Sequence, residues 1–133
     1  MIKSYRDLEV WKKSVDLTSE IYRLTRSFPA DERYGLSAQM QRAAASIAAN
    51  IAEGRSRLTR GDFRRGVSIA RGSVAELETQ IEIAKRLRYL TENGYANIMK
   101  QIGTVGQMVS GLLRRLAQPP RPIPSPAPPV PRH

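Results

Sequence analysis

The chain has no cysteine. That excludes disulfides, thiolate metal sites and cysteine nucleophiles, and it fits a reducing compartment. Histidine occurs once, as the terminal His133. Ser-His and Cys-His catalysis, and histidine zinc sites, therefore lack a donor anywhere else in the chain. No apolar run approaches the roughly 18 residues of a membrane-spanning helix, so no membrane partner is expected. The first ten residues mix charges and contain no apolar signal core, so the expected location is cytoplasmic. No G-x-x-x-x-G-K-[ST] loop, zinc-finger spacing or aromatic-interleaved basic motif occurs, so nothing here reads base sequence. Acidic residues are also scarce: 12 Asp and Glu stand against 22 Lys and Arg, for a net charge of +10. A surplus of that size favours an anionic partner.

What the sequence does contain is helical periodicity. Its 133 residues suffice for one domain with a core, and 41% hydrophobic with 26% charged content is that of an ordinary globular protein. The central stretch runs from Arg33 to Arg57. Leu36, Met40, Ala43, Ile47 and Ile51 recur there at steps of three and four, the spacing of one helix face. Ala44, Ala45, Ala48 and Ala52 widen a small-residue surface that lets another backbone approach. Gly54 stands where a helix C-cap wants a positive φ.

Before this stretch, Ser4 and Asp7 give a capping-box start to a helix expected to reach about Ser27. That helix carries two apolar stripes: Leu8, Trp11, Val15 and Tyr22, and Val10, Leu17, Ile21, Leu24 and Phe28. Two stripes imply more than one neighbour. Pro29 breaks the pattern, and Asp31 and Glu32 precede the positive end of the next helix. After the central stretch, Thr59 and Asp62 repeat the start signal. A third helix is expected to about Arg88, with Phe63, Val67, Ala70, Val74, Leu77, Ile81 and Ala84 in a heptad-like rhythm. Gly66, Gly72 and Ser73 weaken its helicity, so the glycines mark close contact or burial offsets their cost. Asn93-Gly94 reads as a turn, and a fourth helix follows from about Tyr95 to Ala117 on Ile98, Ile102, Val105, Val109, Leu112 and Leu116. From Pro119 the chain is dominated by proline and cannot build a core. The expected organisation is an all-α, antiparallel up-down four-helix bundle over 1–118 with a disordered Pro-rich tail over 119–133. Arg121 to Pro124 loosely matches an SH3 or WW ligand, but a solvated tether is the preferred reading.

The charge that matters sits between Arg55 and Arg71: Arg55, Arg57, Arg60, Arg64, Arg65 and Arg71 against one acid, Asp62. At about 100° per residue, Arg60, Arg64 and Arg71 share one helix edge, which Glu78 and Glu82 continue, while Arg65 points away. Three readings stay open. The arginines grip phosphates, or they meet Glu78 and Glu82 of a neighbouring subunit, or they form a solvated face. Asn50 falls within the apolar face of the central helix, either bonding free backbone groups at a helix end or contacting a ligand. Glu53 is expected in a structural ion pair rather than in catalysis, because no second acid or base lies beside it. No catalytic residue, metal ligand or cofactor is assigned.

Several segments then carry a resemblance: S-Y-R-D-L-E-V-W at Ser4–Trp11, F-P-A-D-E-R-Y-G-L at Phe28–Leu36 and R-A-A-A-S-I-A-A-N-I-A-E-G at Arg42–Gly54. R-G-S-V-A-E-L-E-T-Q at Arg71–Gln80 and L-R-Y-L at Leu87–Leu90 continue it. Over residues 2–117 the chain resembles the bacterial four-helix-bundle proteins of large-subunit ribosomal RNA intervening sequences. These are similar to the accessory variability proteins of diversity-generating retroelements. Gln41 departs from the pattern, which has a basic residue there. The resemblance implies a ring-like homopentamer and no enzyme activity. For the retroelement relatives it implies a basic surface for RNA or DNA and for a reverse transcriptase. Carried over, Arg55, Arg57, Arg60, Arg64 and Arg65 are candidates for the anionic partner. Tyr34, Asn50, Glu53, Gly54 and Glu76 are expected to be structural.

Overall fold

The computed structural model describes residues 4–119. The proline-rich tail beyond Pro119, with its SH3-like segment and His133, lies outside the described residues. The four helices are α1 (Glu9–Thr25), α2 (Leu36–Ser56), α3 (Arg60–Arg86) and α4 (Glu92–Ala117). Each packs against its neighbours in sequence, α4 closes back on α1, and the diagonal pairs do not meet. This is the up-down bundle that short connections between amphipathic helices favour. Among the described residues there is no strand.

The core follows the expected stripes. Val10, Leu17, Ile21 and Phe28 are buried from the α1 side, and Leu36, Met40, Ala43, Ile47 and Ile51 from α2. Val67, Ala70, Val74, Leu77, Ile81 and Ala84 of α3 meet Ile98, Ile102, Val105, Val109 and Leu112 of α4. The second α1 stripe behaves differently: Val15 and Tyr22 are exposed. Leu8 at its start is buried and Trp11 packs against the core, so this stripe is used inside the subunit only over its first part.

Three local expectations change. The Ser4–Asp7 capping box forms in full, but on a 3-10 turn at Tyr5–Asp7; α1 starts afterwards at Glu9 with no side-chain cap. Asn93-Gly94 is not a turn. Thr91 caps α4, its Oγ1 accepting the Gly94 N–H at 2.9 Å, so both residues lie in the first helical turn. Gly54 does not end α2, which continues to Ser56. Among the described residues, those with positive φ are Leu58 at 68° and Arg88 at 64°, one after α2 and one after α3.

Gly54 has another task. A Cβ built there would lie 2.9 Å from the Asp62 carbonyl oxygen and 3.0 Å from Gly66 Cα. One at Gly66 would lie 2.9 Å from Gly54 Cα, and closer still to the Asn50 carbonyl oxygen. The two glycines thus bring the backbones of α2 and α3 into direct contact, as small residues do at close helix crossings. Further along the same seam the Ser46 and Ser73 hydroxyls share a hydrogen bond of 2.8 Å. Gln41 joins α1 to α2, its Nε2 donating to Thr25 Oγ1 at 3.0 Å.

Candidate nucleic-acid interface

The arginine-rich stretch lies at the bundle end where α2 stops, α3 starts and α4 stops. Thr59 makes the sharp entry into α3: its Oγ1 accepts the Asp62 N–H at 3.1 Å, the cap expected from the sequence. Leu58 before it is 83% exposed in a left-handed conformation that side chains with a Cβ rarely adopt. Beyond this turn Arg60, Arg64 and Arg71 keep to one edge of α3, while Arg65 points away from it.

Arg55 rests over the Phe63 ring at 6.0 Å. Arg57 pairs with Glu53 at 3.0 Å, both side chains well exposed, so the pair adds little stability. Arg60 is redirected altogether. Its Nη2 donates to the carbonyl oxygens of Arg115 at 2.7 Å and Gln118 at 3.0 Å, across the junction with α4. Carbonyls in a last helical turn have no partner within the helix, so a guanidinium there satisfies them and meets the negative dipole end. Arg60 is therefore primarily an anchor for α4. Sequence spacing along α3 alone could not show this, because its partners lie 55 and 58 positions away.

Arg65, Arg57, Asp62, Glu53 and Asn50 line a shallow cleft of about 190 Å³ above the Gly54–Gly66 contact. Asn50 spends its amide donors inside α2, on the Ser46 carbonyl at 2.8 Å and the Ser46 hydroxyl at 2.9 Å. It thus bonds within the helix rather than at a free helix end. Arg71 lies on the opposite side, in the groove between α3 and α4, with Glu78 and Arg114. Arg114 joins this end only through antiparallel pairing, so the sequence reading did not include it. Arg64 is exposed.

The electrostatics are lopsided. Among the described residues the ion pairs are Glu9–Lys12, Glu20–Arg23, Glu53–Arg57 and Glu82–Arg86, all within one helix turn. Among the described residues no carboxylate lies within ion-pair distance of Arg55, Arg64, Arg65 or Arg71. At the other end of α3, Glu82 accepts the Tyr95 hydroxyl at 2.9 Å as well as Arg86 Nε at 3.3 Å. The Tyr95 bond, ahead of its cationic neighbours, holds the Glu82 carboxyl below its ordinary range and pushes the Tyr95 phenol up. Tyr89 donates to Glu32 Oε2 at 2.9 Å and is raised by that bond in the same way. Glu82 is thus partnered within its own chain. Glu76 accepts from Gln80 Nε2 at 3.3 Å on the surface of α3. Tyr34 lies outside the core, 87% exposed. Among the described residues no three His, Cys, Asp or Glu side chains converge to hold a metal ion, and no helix is long and apolar enough to cross a membrane.

Fold and site together define a small all-helical bundle with uncompensated arginine charge at one end. The 23S rRNA-intervening sequence protein family model matches residues 6–111, and the chain belongs to that family. A crystal structure from Bacteroides thetaiotaomicron, described as a protein with unknown function from the S23 ribosomal protein family, has a similar fold. It superposes with a TM-score of 0.73 at 24% identity, over 79% of this chain and 95% of that one. No curated protein matches.

Proposed function

We propose that the protein is a non-enzymatic, homo-oligomeric RNA-binding accessory protein that holds phosphate backbone on its arginine-rich end. The observation that carries this is the set of exposed arginines Arg64, Arg65 and Arg71, joined by Arg114, with no acid in ion-pair distance. Guanidinium groups left without carboxylates are suited to bidentate phosphate contact. The first turn of α3 adds backbone donors and a positive dipole end. The family name ties its members to a ribosomal RNA, which makes RNA the anion of choice. Binding by shape and backbone should be indifferent to base sequence. In a fluorescence anisotropy titration, the Arg64→Ala, Arg65→Ala, Arg71→Ala triple variant should bind several unrelated RNAs more weakly by a similar factor. A loss confined to one sequence, or no loss, would count against the reading.

A second reading has its own support. Ile69, Ile83 and Leu87 are exposed and fall on one side of α3, beside Arg65. Such a stripe suits a contact between subunits, with the arginines at its rim. A pentameric ring is the assembly that the resemblance implies, and a reverse transcriptase is a partner of the retroelement relatives. In the adaptor version of this reading, the triple variant loses particle mass in size exclusion with light scattering, and RNA affinity per subunit does not change.

A further inference from the structure

The opposite end of the bundle carries a feature that the arginine end does not explain. Tyr34, between the 3-10 turn at Ala30–Glu32 and α2, is 87% exposed, the most exposed of the large apolar side chains among the described residues. A tyrosine that contributes nothing to the core is an aromatic surface open to a ligand. Arg33 lies over its ring at 5.6 Å. Beneath them is a pocket of about 520 Å³ whose wall includes Arg26, Arg33, Phe28, Ser37 and Gln41. Among the described residues neither Arg26 nor Arg33 has a carboxylate in ion-pair distance. The pocket also opens on the start of α2, which has no side-chain N-cap. Glu32 Oε1 takes the Leu36 N–H at 3.3 Å, and the following N–H groups point out along the positive helix end. Ser37 is only 5% exposed, and its Oγ has no hydrogen-bond partner. Of the nearby acids, Glu32 is committed to Leu36 and Tyr89, and Asp31 bears on the Tyr89 phenol.

We propose that this pocket is a second RNA contact, taking one unpaired nucleotide: its base stacks on Tyr34, and its phosphate meets Arg26, Arg33 and the start of α2. Stacking on an exposed aromatic beside arginines is how single strands are held without sequence preference. The two ends are separated by the length of α2, about 30 Å at 1.5 Å per residue. One subunit would therefore grip duplex backbone at one end and a single-stranded stretch at the other. The inference rests on the RNA-binding reading above and adds to it a preference for unpaired nucleotides.

The test compares a fluorescein-labelled single-stranded RNA with a hairpin duplex, using wild type, Tyr34→Ala, Tyr34→Phe and the Arg26→Ala, Arg33→Ala double variant. Tyr34→Ala should weaken single-strand binding about tenfold, the usual effect of removing one stacking aromatic. It should leave duplex binding unchanged, and Tyr34→Phe should retain affinity for both. The arginine double variant should lower the salt slope for single strands by roughly 0.7, the value for the one phosphate that both arginines meet. Wild-type binding with no loss in Tyr34→Ala would overturn the proposal and leave the arginine end intact. A drop in particle mass in Tyr34→Ala would overturn it too, showing a subunit contact. Equal competition by a polyglutamate peptide would assign the pocket to an acidic protein instead. Wild type binding neither RNA would sink the RNA reading itself.

Discussion

The Gly54–Gly66 contact makes a sharp prediction about stability. Replacing Gly66 with alanine puts a methyl group 2.9 Å from Gly54 Cα and 3.2 Å from Gly54 N, where ordinary contact begins at 3.4 Å. The obstructing atoms are backbone, so no side chain can rotate away. The Asn50 carbonyl oxygen is closer still, so the helices must part by about 1 Å, or α3 must shift along its axis. Overpacking of this kind costs about 1–3 kcal/mol, and a backbone-on-backbone clash belongs near the upper figure. Alanine returns about 1 kcal/mol of helix propensity. The net loss is about 2 kcal/mol, or about 8 °C in Tm at about 4 °C per kcal/mol for a domain of this size. Gly72 and Gly103 are the controls. A Cβ at either meets nothing within 4 Å, so Gly72→Ala and Gly103→Ala should each gain about 0.5–1 kcal/mol. Thermal and urea unfolding followed by circular dichroism, at one fixed protein concentration, measures all three variants. Equal stabilisation by alanine at 66, 72 and 103 would refute the claim that α2 and α3 touch through their backbones.

Other outcomes follow from single contacts. Arg60→Ala should cost about 1 kcal/mol and speed amide exchange in the last turn of α4, because two carbonyls lose their donor; unchanged exchange there would show that Arg60 is free for a ligand. Ser73→Ala should cost about 1 kcal/mol by breaking the Ser46 hydrogen bond, read as a lower urea midpoint at constant m-value. The tyrosine–glutamate bonds make stability depend on pH. Tyr89 and Tyr95 have raised folded pKa values, so their contribution is complete below the unfolded value of about 10 and is lost as pH rises through the folded one. Glu82 is depressed, so its contribution is present above its unfolded value of about 4.3 and is lost as pH falls through the folded one. The Tyr89→Phe, Tyr95→Phe variant should therefore flatten the decline of Tm above about pH 10; an unaltered decline would place its cause elsewhere.

Much of this fold was legible because burial follows period. The stripes on α2, α3 and α4 are the core, with Phe63 and Leu116 only half-buried. What misled was glycine. A glycine signals either a positive φ or a close approach, and sequence does not say which. Gly54 and Gly66 are committed to a helix crossing, Gly94 to the first turn of α4, and the left-handed positions fall to Leu58 and Arg88. The Thr91 cap was present in the sequence but hidden by the stronger-looking Asn93-Gly94 pair. The arginine cluster was visible as composition, but its division was not. Whether a guanidinium caps α4, pairs with Glu53 or stays open depends on which element ends beside it, and that is set by antiparallel packing. Tyr34 shows the same limit: its exposure follows from a 3-10 turn that holds it off the α1 and α2 stripes.

We propose above that uncompensated arginines at the α2–α3 end hold RNA backbone. The most direct test of this is the slope of log affinity against log salt for duplex RNA, in wild type and in the Arg64→Ala, Arg65→Ala, Arg71→Ala variant. Wild type should show a steep linear fall, and the variant a slope shallower by roughly 2–3, at about 0.7–0.9 per phosphate contact. The same slope in both proteins, or no binding by wild type at low salt, would contradict it.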